Sequence, residues 1–197
     1  MQPAETAIYS PSDWLKPLDW CAIFATEQPI EVDIGCGKGS FLLHSAQAHP
    51  DVNFLGVDRL LRRLRKVDKK IQRLSLRNAR LLRVEASYLV RYLVSGTSVS
   101  AYHIYFPDPW PKRRHHQRRL MSMAFCADLL RTLRDGGVVN CATDYEEYFH
   151  WIQDEFRKTP GFVEFKPEVL TEDAHTDFER EFLAAGKQIH RSRWIKG

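Results

Sequence analysis

A chain of 197 residues with a net charge of +4 is long enough for one domain with a sizeable core. Its hydrophobic fraction of 44% and charged fraction of 27% are typical of a globular protein and exclude the disordered and membrane classes. Every apolar run falls short of the ~20 residues that a membrane helix needs, and the N-terminus lacks a basic, apolar leader. We therefore expect a cytoplasmic protein without a membrane partner.

Cysteine and histidine spacing argues against a metal site. The four cysteines are widely scattered and form no C-x-x-C pair, so neither a disulfide framework nor a zinc knuckle is indicated. His115 and His116 are adjacent rather than four residues apart on a helix, and no matching ligand set accompanies them. The sequence predicts reduced, mostly buried thiols and no bound metal.

Basic residues crowd two segments, Arg59 to Arg83 and Lys112 to Arg119. A clustered positive field attracts polyanions, which makes nucleic acid a natural partner. For the first segment an ordinary solvated helix face is an equal alternative, and composition alone does not separate the two.

Strands and helices alternate along the chain after an irregular lead-in. We assign residues 1–29 to this lead-in, packed on the main body, and residues 30–197 to a single domain. The alternation predicts an α/β, Rossmann-like fold, with a mostly parallel twisted sheet and helices on both faces. The predicted strands are 30–34, 53–57, 79–84, 100–106, 138–142, 162–165 and 188–195, and the predicted helices are 40–48, 60–74, 120–134 (closed by Gly136-Gly137) and 144–158.

The first predicted strand runs into a turn that contains Gly35, Gly37 and Gly39. Ligands of open α/β sheets bind beyond the carboxyl ends of the strands, where this turn lies. Glycines at Gly35 and Gly37 let backbone approach a ligand without a Cβ, and Asp58, ~20 residues further on, is placed to accept hydrogen bonds from ribose hydroxyls. Although glycine turns also serve packing, the combination predicts a site for an adenosine-containing cofactor.

Two adenosine cofactors compete for this turn. A nicotinamide-dependent oxidoreductase prefers G-x-G-x-x-G, which delivers a pyrophosphate to a helix N-terminus, whereas this turn reads G-x-G-x-G directly after Asp33. S-adenosylmethionine carries an ammonium and a sulfonium, so carboxylates around it make electrostatic sense. Asp33 and Glu85, at the ends of two predicted strands, are candidates, with a helix cap or surface charge as the alternative role. The sequence favours S-adenosylmethionine.

The fourth predicted strand leads into the segment FPDPWPKRRHHQRR, residues 106–119. Prolines on both sides of Asp108 fix φ and restrict their neighbours, so its carboxylate and the Trp110 indole are held in a stiff loop at the cofactor rim. Trp110 serves either as a stacking surface for a base or as the anchor of its loop. The basic run that follows predicts contacts with RNA phosphates through Lys112, Arg113, Arg114, Arg118 and Arg119.

The motifs IGCGKG and FPDPWPKRRHHQRRL closely resemble the bacterial tRNA (guanine-N7-)-methyltransferase family. The resemblance continues through Thr143-Asp144-Tyr145 and Thr176-Asp177-Phe178-Glu179, so it covers most of the chain beyond the lead-in. It implies a class I S-adenosylmethionine-dependent methyltransferase fold and transfer of a methyl group to guanine N7 in tRNA, with the guanine in the variable loop. A monomer or homodimer without a partner subunit is expected.

The resemblance also implies roles for individual residues. Family members often carry glutamate in place of Asp33, aspartate in place of Glu85 and lysine in place of Asp177. By resemblance, the cofactor is surrounded by Asp33, Asp58, Glu85 and Asp108, with Asp108 as the catalytic acid, and the RNA is faced by Lys112, Asp144, Thr176, Asp177, Phe178 and Glu179.

The alternative from another class is a catalytically inactive RNA-binding protein of the same fold. Such a protein would keep the basic run but lose affinity for the cofactor. The intact Gly35, Gly37, Asp58 and Asp108 argue against it.

Overall fold

The computed structural model describes residues 6–167 and 169–197, and these residues form one mixed sheet with helices on both faces. The strands are β1 (Ile8–Tyr9), β2 (Ile30–Ile34), β3 (Asn53–Asp58), β4 (Ala79–Arg83), β5 (Val99–Tyr105), β6 (Leu133–Thr143), β7 (Phe162–Phe165) and β8 (His190–Lys196). They lie in the order β1-β4-β3-β2-β5-β6-β8-β7, and only the pairs that involve β8 are antiparallel. The predicted α/β class is confirmed.

The helices form a layer on each face of the sheet. They are α1 (Trp20–Ile23), α2 (Ser40–Ala48), α3 (Leu61–Arg73), α4 (Ala86–Tyr88, extended by a π-helical stretch over Leu89–Leu93), α5 (Met123–Thr132), α6 (Glu146–Arg157) and α7 (Asp177–Ala184). Helices α2 and α3 bury their apolar sides in one core, whereas the π-helical stretch, α5 and α6 pack in a larger core on the opposite face. None of these helices is both long and apolar enough to cross a membrane.

The lead-in is more regular than its sequence suggests. Ile8 and Tyr9 pair with Leu81 and Leu82 of β4 at the sheet edge, and Asp19 caps α1. The prediction of an irregular lead-in missed these two short elements, while residues 1–5 lie outside the described residues. Two residues are too few to show the alternating hydrophobic pattern by which a strand is recognised in a sequence. Strand β1 is defined only by its pairing with β4.

The boundary between α5 and β6 also differs from the prediction. Helix α5 ends at Thr132, and β6 begins at Leu133, opposite Val99, before its register shifts. The pair Gly136-Gly137 lies inside this irregular part of the strand and does not close a helix, with Gly136 at a φ of 71°. Sequence reasoning mistook glycines of a strand irregularity for a helix C-cap.

Strand β2 occupies the point at which the strand order reverses, because β3 and β4 lie on one side of it and β5 and β6 on the other. The crevice at the carboxyl ends of β2 and β5 is the usual ligand position in such a sheet. The fold therefore places the turn after β2, residues 35–39, beside the loop after β5.

Gly39 is a packing glycine as well as a turn residue. Its φ is 79°, and a Cβ atom there would lie 2.6 Å from Cγ1 of Val67 in α3. We expect Gly39→Ala to lower the free energy of unfolding by about 2–4 kcal/mol, because left-handed strain and overpacking add. Gly136→Ala is the matched control: its φ is 71° with nothing within 4 Å of the added Cβ, so strain alone should cost about 1 kcal/mol. Urea unfolding measures the stability of both variants. An equal loss of stability in the two would contradict the packing role of Gly39, because Val67 would then move aside without cost.

Candidate active site

A cavity opens at the carboxyl ends of β2 and β5, between the glycine turn and the C-terminal helix α7. Its lining is mixed, with an acidic group at the base, backbone of the turn on one side and aromatic rings opposite. The lining residues are Asp33, Gly35, Cys36, Gly37, Lys38, Ser40, Phe41, Arg63, Tyr105, Thr176, Asp177, Phe178 and Glu181. This arrangement brings the predicted cofactor turn and the predicted RNA-facing segment 176–178 to one cavity.

The glycine turn has the open backbone that its sequence predicts. Gly35 and Gly37 have φ values of 78° and 56°, and an added Cβ would meet nothing within 4 Å at Gly35 and only a carbonyl at 3.7 Å at Gly37. Backbone at these two positions therefore faces free space, whereas Gly39 is packed on α3. The turn leaves room for a ligand at its first two glycines.

Asp33 is buried at the base of the cavity, with 4% of the residue exposed. Among the described residues no donor hydrogen-bonds to its carboxylate. Burial raises the pKa of Asp33 to about 7, His103 opposes this shift, and the negative charge of Asp58 adds to it. A cation that entered the cavity would stabilise the ionised form of Asp33.

A buried polar chain runs beside Asp33 towards the cavity. His103 contacts Glu31 through Nε2 at 2.8 Å and the Tyr105 hydroxyl through Nδ1 at 3.2 Å. Since a carboxylate only accepts, Nε2 of His103 carries the proton in the contact with Glu31. Burial alone would raise the pKa of Glu31, but the hydrogen bond and charge of His103 lower it overall. This chain fixes the position of Tyr105, which lines the cavity.

The C-terminal segment closes the cavity through contacts with the glycine turn. Asp177 accepts a hydrogen bond from Ser40 Oγ at 2.7 Å and lies 3.9 Å from Lys38 Nζ. Thr176 caps α7 by accepting from the backbone N–H of Glu179 at 3.1 Å. Phe178 is half exposed beside these residues.

Glu179 does not face the cavity or solvent. Its residue exposure is 1%, and its carboxylate binds Arg191 of β8 and lies 3.4 Å from His175. The prediction that Glu179 faces RNA is therefore wrong, because the side chain fastens α7 to the sheet. In the sequence it has the spacing of a capping box with Thr176, which also signals a structural role.

Three other predicted carboxylates follow strands and are each held by an intramolecular partner. Asp58 accepts from the backbone N–H of Leu60 at 2.7 Å and lies 3.5 Å from Arg63. Glu85 caps α4 through Tyr88, the alternative role that its sequence position allowed. Asp144, which follows β6, forms an ion pair with Lys187, with 2.5 Å between Oδ2 and Nζ. None of these three lines the cavity itself.

Asp108 lies in the loop after β5 and differs from those residues. Its side chain is exposed and has no hydrogen-bond or ion-pair partner among the described residues. Phe106 and Trp110 on either side have φ values of 54° and 44°, which non-glycine residues rarely adopt. Trp110 packs within its own loop, on His115 and under the guanidinium of Arg118, which favours the anchoring role.

The basic run after this loop divides into exposed and buried cations. Lys112, Arg113, Arg114 and Arg118 are exposed, the last three on a 3-10 helix over Arg113–Arg118. The fifth cation, Arg119, has a fully buried side chain that binds both carboxylate oxygens of Glu147 at 3.0 and 2.7 Å.

Arg119 also donates to the carbonyl of Pro109 at 2.9 Å and lies over the rings of Tyr148 and Trp151. The prediction that Arg119 contacts RNA is wrong, since its guanidinium is enclosed by these partners. Arg119 instead fixes the loop that carries Asp108.

Several cavity residues escaped the sequence analysis. Phe41 and Tyr105 were assigned to a helix and a strand without a functional role, and Arg63 was one cation among many. No signal in one sequence separates a strand-end tyrosine that lines a cavity from one that fills a core. Lys187, which pairs with Asp144, follows α7 and belongs to no motif. Among the residues that the structure describes, no group of three or more His, Cys, Asp or Glu is arranged to hold a metal ion.

Comparison with known proteins assigns the chain to a family. A family model described as "Putative methyltransferase" matches residues 27–192. The tRNA (guanine-N(7)-)-methyltransferase of Syntrophotalea carbinolica is 33% identical over 179 residues, which is 89% of this chain and 77% of that protein. The chain belongs to the tRNA (guanine-N(7)-)-methyltransferase family. The resemblance seen in the motifs is thereby confirmed.

Two further comparisons define the extent of the likeness. The family member of Thermotoga maritima is 38% identical over 87% of this chain, but the chain spans only 55% of that protein's length. The crystal structure of the 16S rRNA methyltransferase KamB has a TM-score of 0.66 at 15% identity, covering 88% of this chain and 90% of that one. The likeness to KamB shows that the two chains share a fold, in agreement with the predicted α/β architecture.

The role of Arg119 can be separated from that of its neighbour. We expect Arg119→Gln to lower the free energy of unfolding by about 2 kcal/mol, because a bidentate charged contact and a carbonyl bond are lost. Arg118→Gln, which removes an exposed cation one residue away, should change stability by less than about 0.5 kcal/mol. Chemical denaturation measures both variants. If the two variants had equal free energies of unfolding, Arg119 would again be a candidate for contact with RNA.

Proposed function

We propose that this chain transfers the methyl group of S-adenosylmethionine to N7 of a guanine in tRNA, in the variable loop, and forms 7-methylguanosine. The observation that carries the proposal is the cavity over a buried Asp33, beside the loop that presents an exposed Asp108 and a basic surface. Within residues 6–167 and 169–197, neither carboxylate has a hydrogen-bond or ion-pair partner. The names of the relatives support the reaction and its substrate. The proposal includes action in the cytoplasm, as a monomer or homodimer.

The residues around the cavity fit S-adenosylmethionine. The ionised carboxylate of Asp33 would pair with the positive charge of the cofactor. The open backbone at Gly35 and Gly37 leaves room for the adenosine moiety. Asp58, held by Leu60 and Arg63 at the end of the adjacent strand, accepts from ribose hydroxyls, and Glu85 borders the site one strand further. When bound, the cofactor supplies an electrophilic methyl group on a sulfonium.

The pKa of Asp33 predicts how affinity for the cofactor depends on pH. A carboxyl group with a pKa of about 7 is roughly 10% ionised at pH 6 and 90% ionised at pH 8. Because the ionised form binds a cation, affinity for S-adenosylmethionine should rise about tenfold from pH 6 to pH 8 and level off above. Calorimetric titration of the wild-type chain, freed of carried-over ligand, measures this slope.

Asp33→Asn is the control for that titration. It should bind more weakly at pH 8 and lose this part of the pH dependence. The variant should be at least as stable as wild type at pH 8, since it removes a buried charge. A wild-type affinity that is flat from pH 6 to pH 8 would contradict the assignment of Asp33.

RNA is expected on the side of the cavity formed by the loop after β5. Lys112, Arg113, Arg114 and Arg118 are exposed there and suit contacts with phosphates. Asp144 with its partner Lys187 borders the same end of the sheet, and Thr176, Asp177 and Phe178 meet the substrate where α7 closes the cavity. Phosphate contacts position the RNA, whereas the groups at the cavity select the base.

Guanine N7 is a lone-pair acceptor without a proton, so the reaction needs no general base to create the nucleophile. Alignment of two bound reactants can itself lower the barrier by ~7–11 kcal/mol, which makes the stiff loop over residues 106–111 important. The base gains positive charge as it reacts. Asp108, whose carboxylate has no partner in the described part of the chain, stabilises that charge and accepts from guanine N–H groups.

Methylation by the Asp108→Asn variant tests this role. The substitution keeps size but removes the charge and adds donors, so the single-turnover rate at saturating tRNA and cofactor should fall by about 100-fold or more. Affinity for tRNA and for cofactor should change little. Nucleoside analysis of the tRNA identifies the product, and a near-wild-type rate in the folded variant would leave Asp108 without a catalytic role.

If the wild-type chain binds tRNA yet yields no 7-methylguanosine, the inactive RNA-binding alternative replaces the proposal.

A further inference from the structure

Helix α3 concentrates positive charge on its outer face. Residues 59–83, which contain this helix, hold eleven of the 29 Lys and Arg residues of the chain and one of its 25 Asp and Glu residues. Four exposed or half-exposed cations occur at positions i, i+4, i+7 and i+11 and so form one line about 16 Å long. We call this line the α3 stripe; its members are Arg62, Lys66, Lys69 and Arg73.

The stripe lies opposite the side of the helix that is packed in the core. Leu64, Val67 and Ile71 are 0–2% exposed and contact α2 and the sheet. The orientation of α3 is therefore fixed by its apolar side, and the cations have no freedom to turn inward. The stripe is a permanent feature of the surface.

Acidic partners for the stripe are missing. Within residues 6–167 and 169–197, no carboxylate lies within 4 Å of a basic group of its four members. The acid of the helix, Asp68, is engaged elsewhere, accepting from the backbone N–H of Ala7 at 2.7 Å and from Gln72 at 3.1 Å. An ordinary solvated helix face carries both signs of charge at i,i+4 spacing, and this one does not.

The helix bears this charge at a cost to its own stability. Lys66 follows Arg62 by four residues, and Arg73 follows Lys69 by four, which places like charges next to each other. A polyanion laid along the stripe removes that repulsion and releases its own counterions. Both effects favour a bound polyanion over a bare surface.

The stripe begins at the rim of the cavity. Arg63, next to Arg62, lines the cavity, and Lys70 donates to the carbonyl of Lys38 in the glycine turn at 2.9 Å. Helix α3 follows β3, whereas the basic run over residues 112–119 follows β5, and β2 lies between these two strands. The cavity is thus flanked by one basic surface on each side.

We propose that the α3 stripe binds a stretch of tRNA backbone away from the reacting guanine, while the run over residues 112–118 holds the backbone beside it. The proposal rests on the proposed function and adds a second contact region to it. A folded tRNA is large enough to reach past the rim on both sides. An anionic membrane fits less well, because the apolar side of α3 is buried in the core and cannot insert.

The double variant Lys66→Gln/Lys69→Gln tests the stripe. Glutamine matches lysine in helix propensity, so the helix should persist, and thermal unfolding should show unchanged or higher stability. The slope of log affinity for tRNA against log salt should shrink by about two, and affinity near 0.1 M salt should fall roughly tenfold or more. The single-turnover rate at saturating tRNA and the affinity for S-adenosylmethionine should not change.

The matched control is Lys158→Gln/Lys166→Gln. It removes two lysine charges beside α6 and β7, at the opposite edge of the sheet from α3. Because Lys158, unlike the stripe lysines, pairs with Glu155 at 3.0 Å, thermal unfolding of this variant is measured alongside tRNA binding. Its salt slope for tRNA should equal that of wild type. Equal slopes for both double variants and wild type would overturn the proposal.

Lysine footprinting supplies a readout that does not depend on methylation. With an amine-reactive label, tRNA should protect Lys66 and Lys69 of the wild-type chain and leave Lys158 and Lys166 reactive. A chain that methylates tRNA while Lys66 and Lys69 stay unprotected would overturn the stripe and leave the proposed function intact. A wild-type chain without salt-dependent tRNA binding would overturn both, and binding to anionic phospholipid vesicles as tight as to tRNA would assign the stripe to a membrane.

Discussion

The buried carboxyl group of Asp33, which no described residue hydrogen-bonds, constrains what the cavity can hold. With its pKa raised from 3.8 to about 7, the folded chain holds a proton on this group that the unfolded chain has released, so Asp33 lowers stability as pH rises from about 4 to about 7. No donor among the described residues hydrogen-bonds to the Asp33 carboxylate. The polar chain from Glu31 through His103 offsets part of the effect, and a cationic ligand offsets more. The fold therefore favours a cation at the one place where the open glycine backbone also leaves room for it.

Four other acids at this end of the sheet hold the elements that surround the cavity. Asp58 fixes the start of α3, Glu85 the start of α4, and Asp177 joins α7 to the glycine turn through Ser40. Glu179 then joins α7 to β8. Because these carboxylates are committed to neighbours, the cavity is shaped before any ligand arrives, and binding does not have to order it. Among the predicted acids, only Asp33 and Asp108 have no hydrogen-bond or ion-pair partner within residues 6–167 and 169–197, while the paired carboxylates keep acceptor sites for a ligand.

The sequence predicted the fold class, most strand positions and the glycine turn because each has a local signal: a hydrophobic period, a G-x-G pattern or flanking prolines. It did not distinguish Arg119 from Arg118, since adjacent arginines in a basic run look alike until α6 supplies Glu147 to one of them. The prediction for Glu179 was wrong for the same reason, because its partner Arg191 lies on a different element. The strand at Ile8–Tyr9 and the irregular start of β6 likewise depend on pairing with distant residues. What the sequence missed was which polar groups were already paired within the fold.

The pairing of Arg119 explains how a charged loop can be both stiff and available. Its guanidinium faces inward, bonds the carbonyl of Pro109 and stacks on Tyr148 and Trp151, so the loop is held from beneath. The backbone N–H of Phe106 donates to Ala142 at 2.8 Å and fixes the other end of the loop. Between these two anchors the strained φ values at Phe106 and Trp110 are tolerated, and Asp108 is presented to solvent without a hydrogen bond to any described residue. One cation of the basic run is thus used to position the loop, which leaves the other four free to contact RNA.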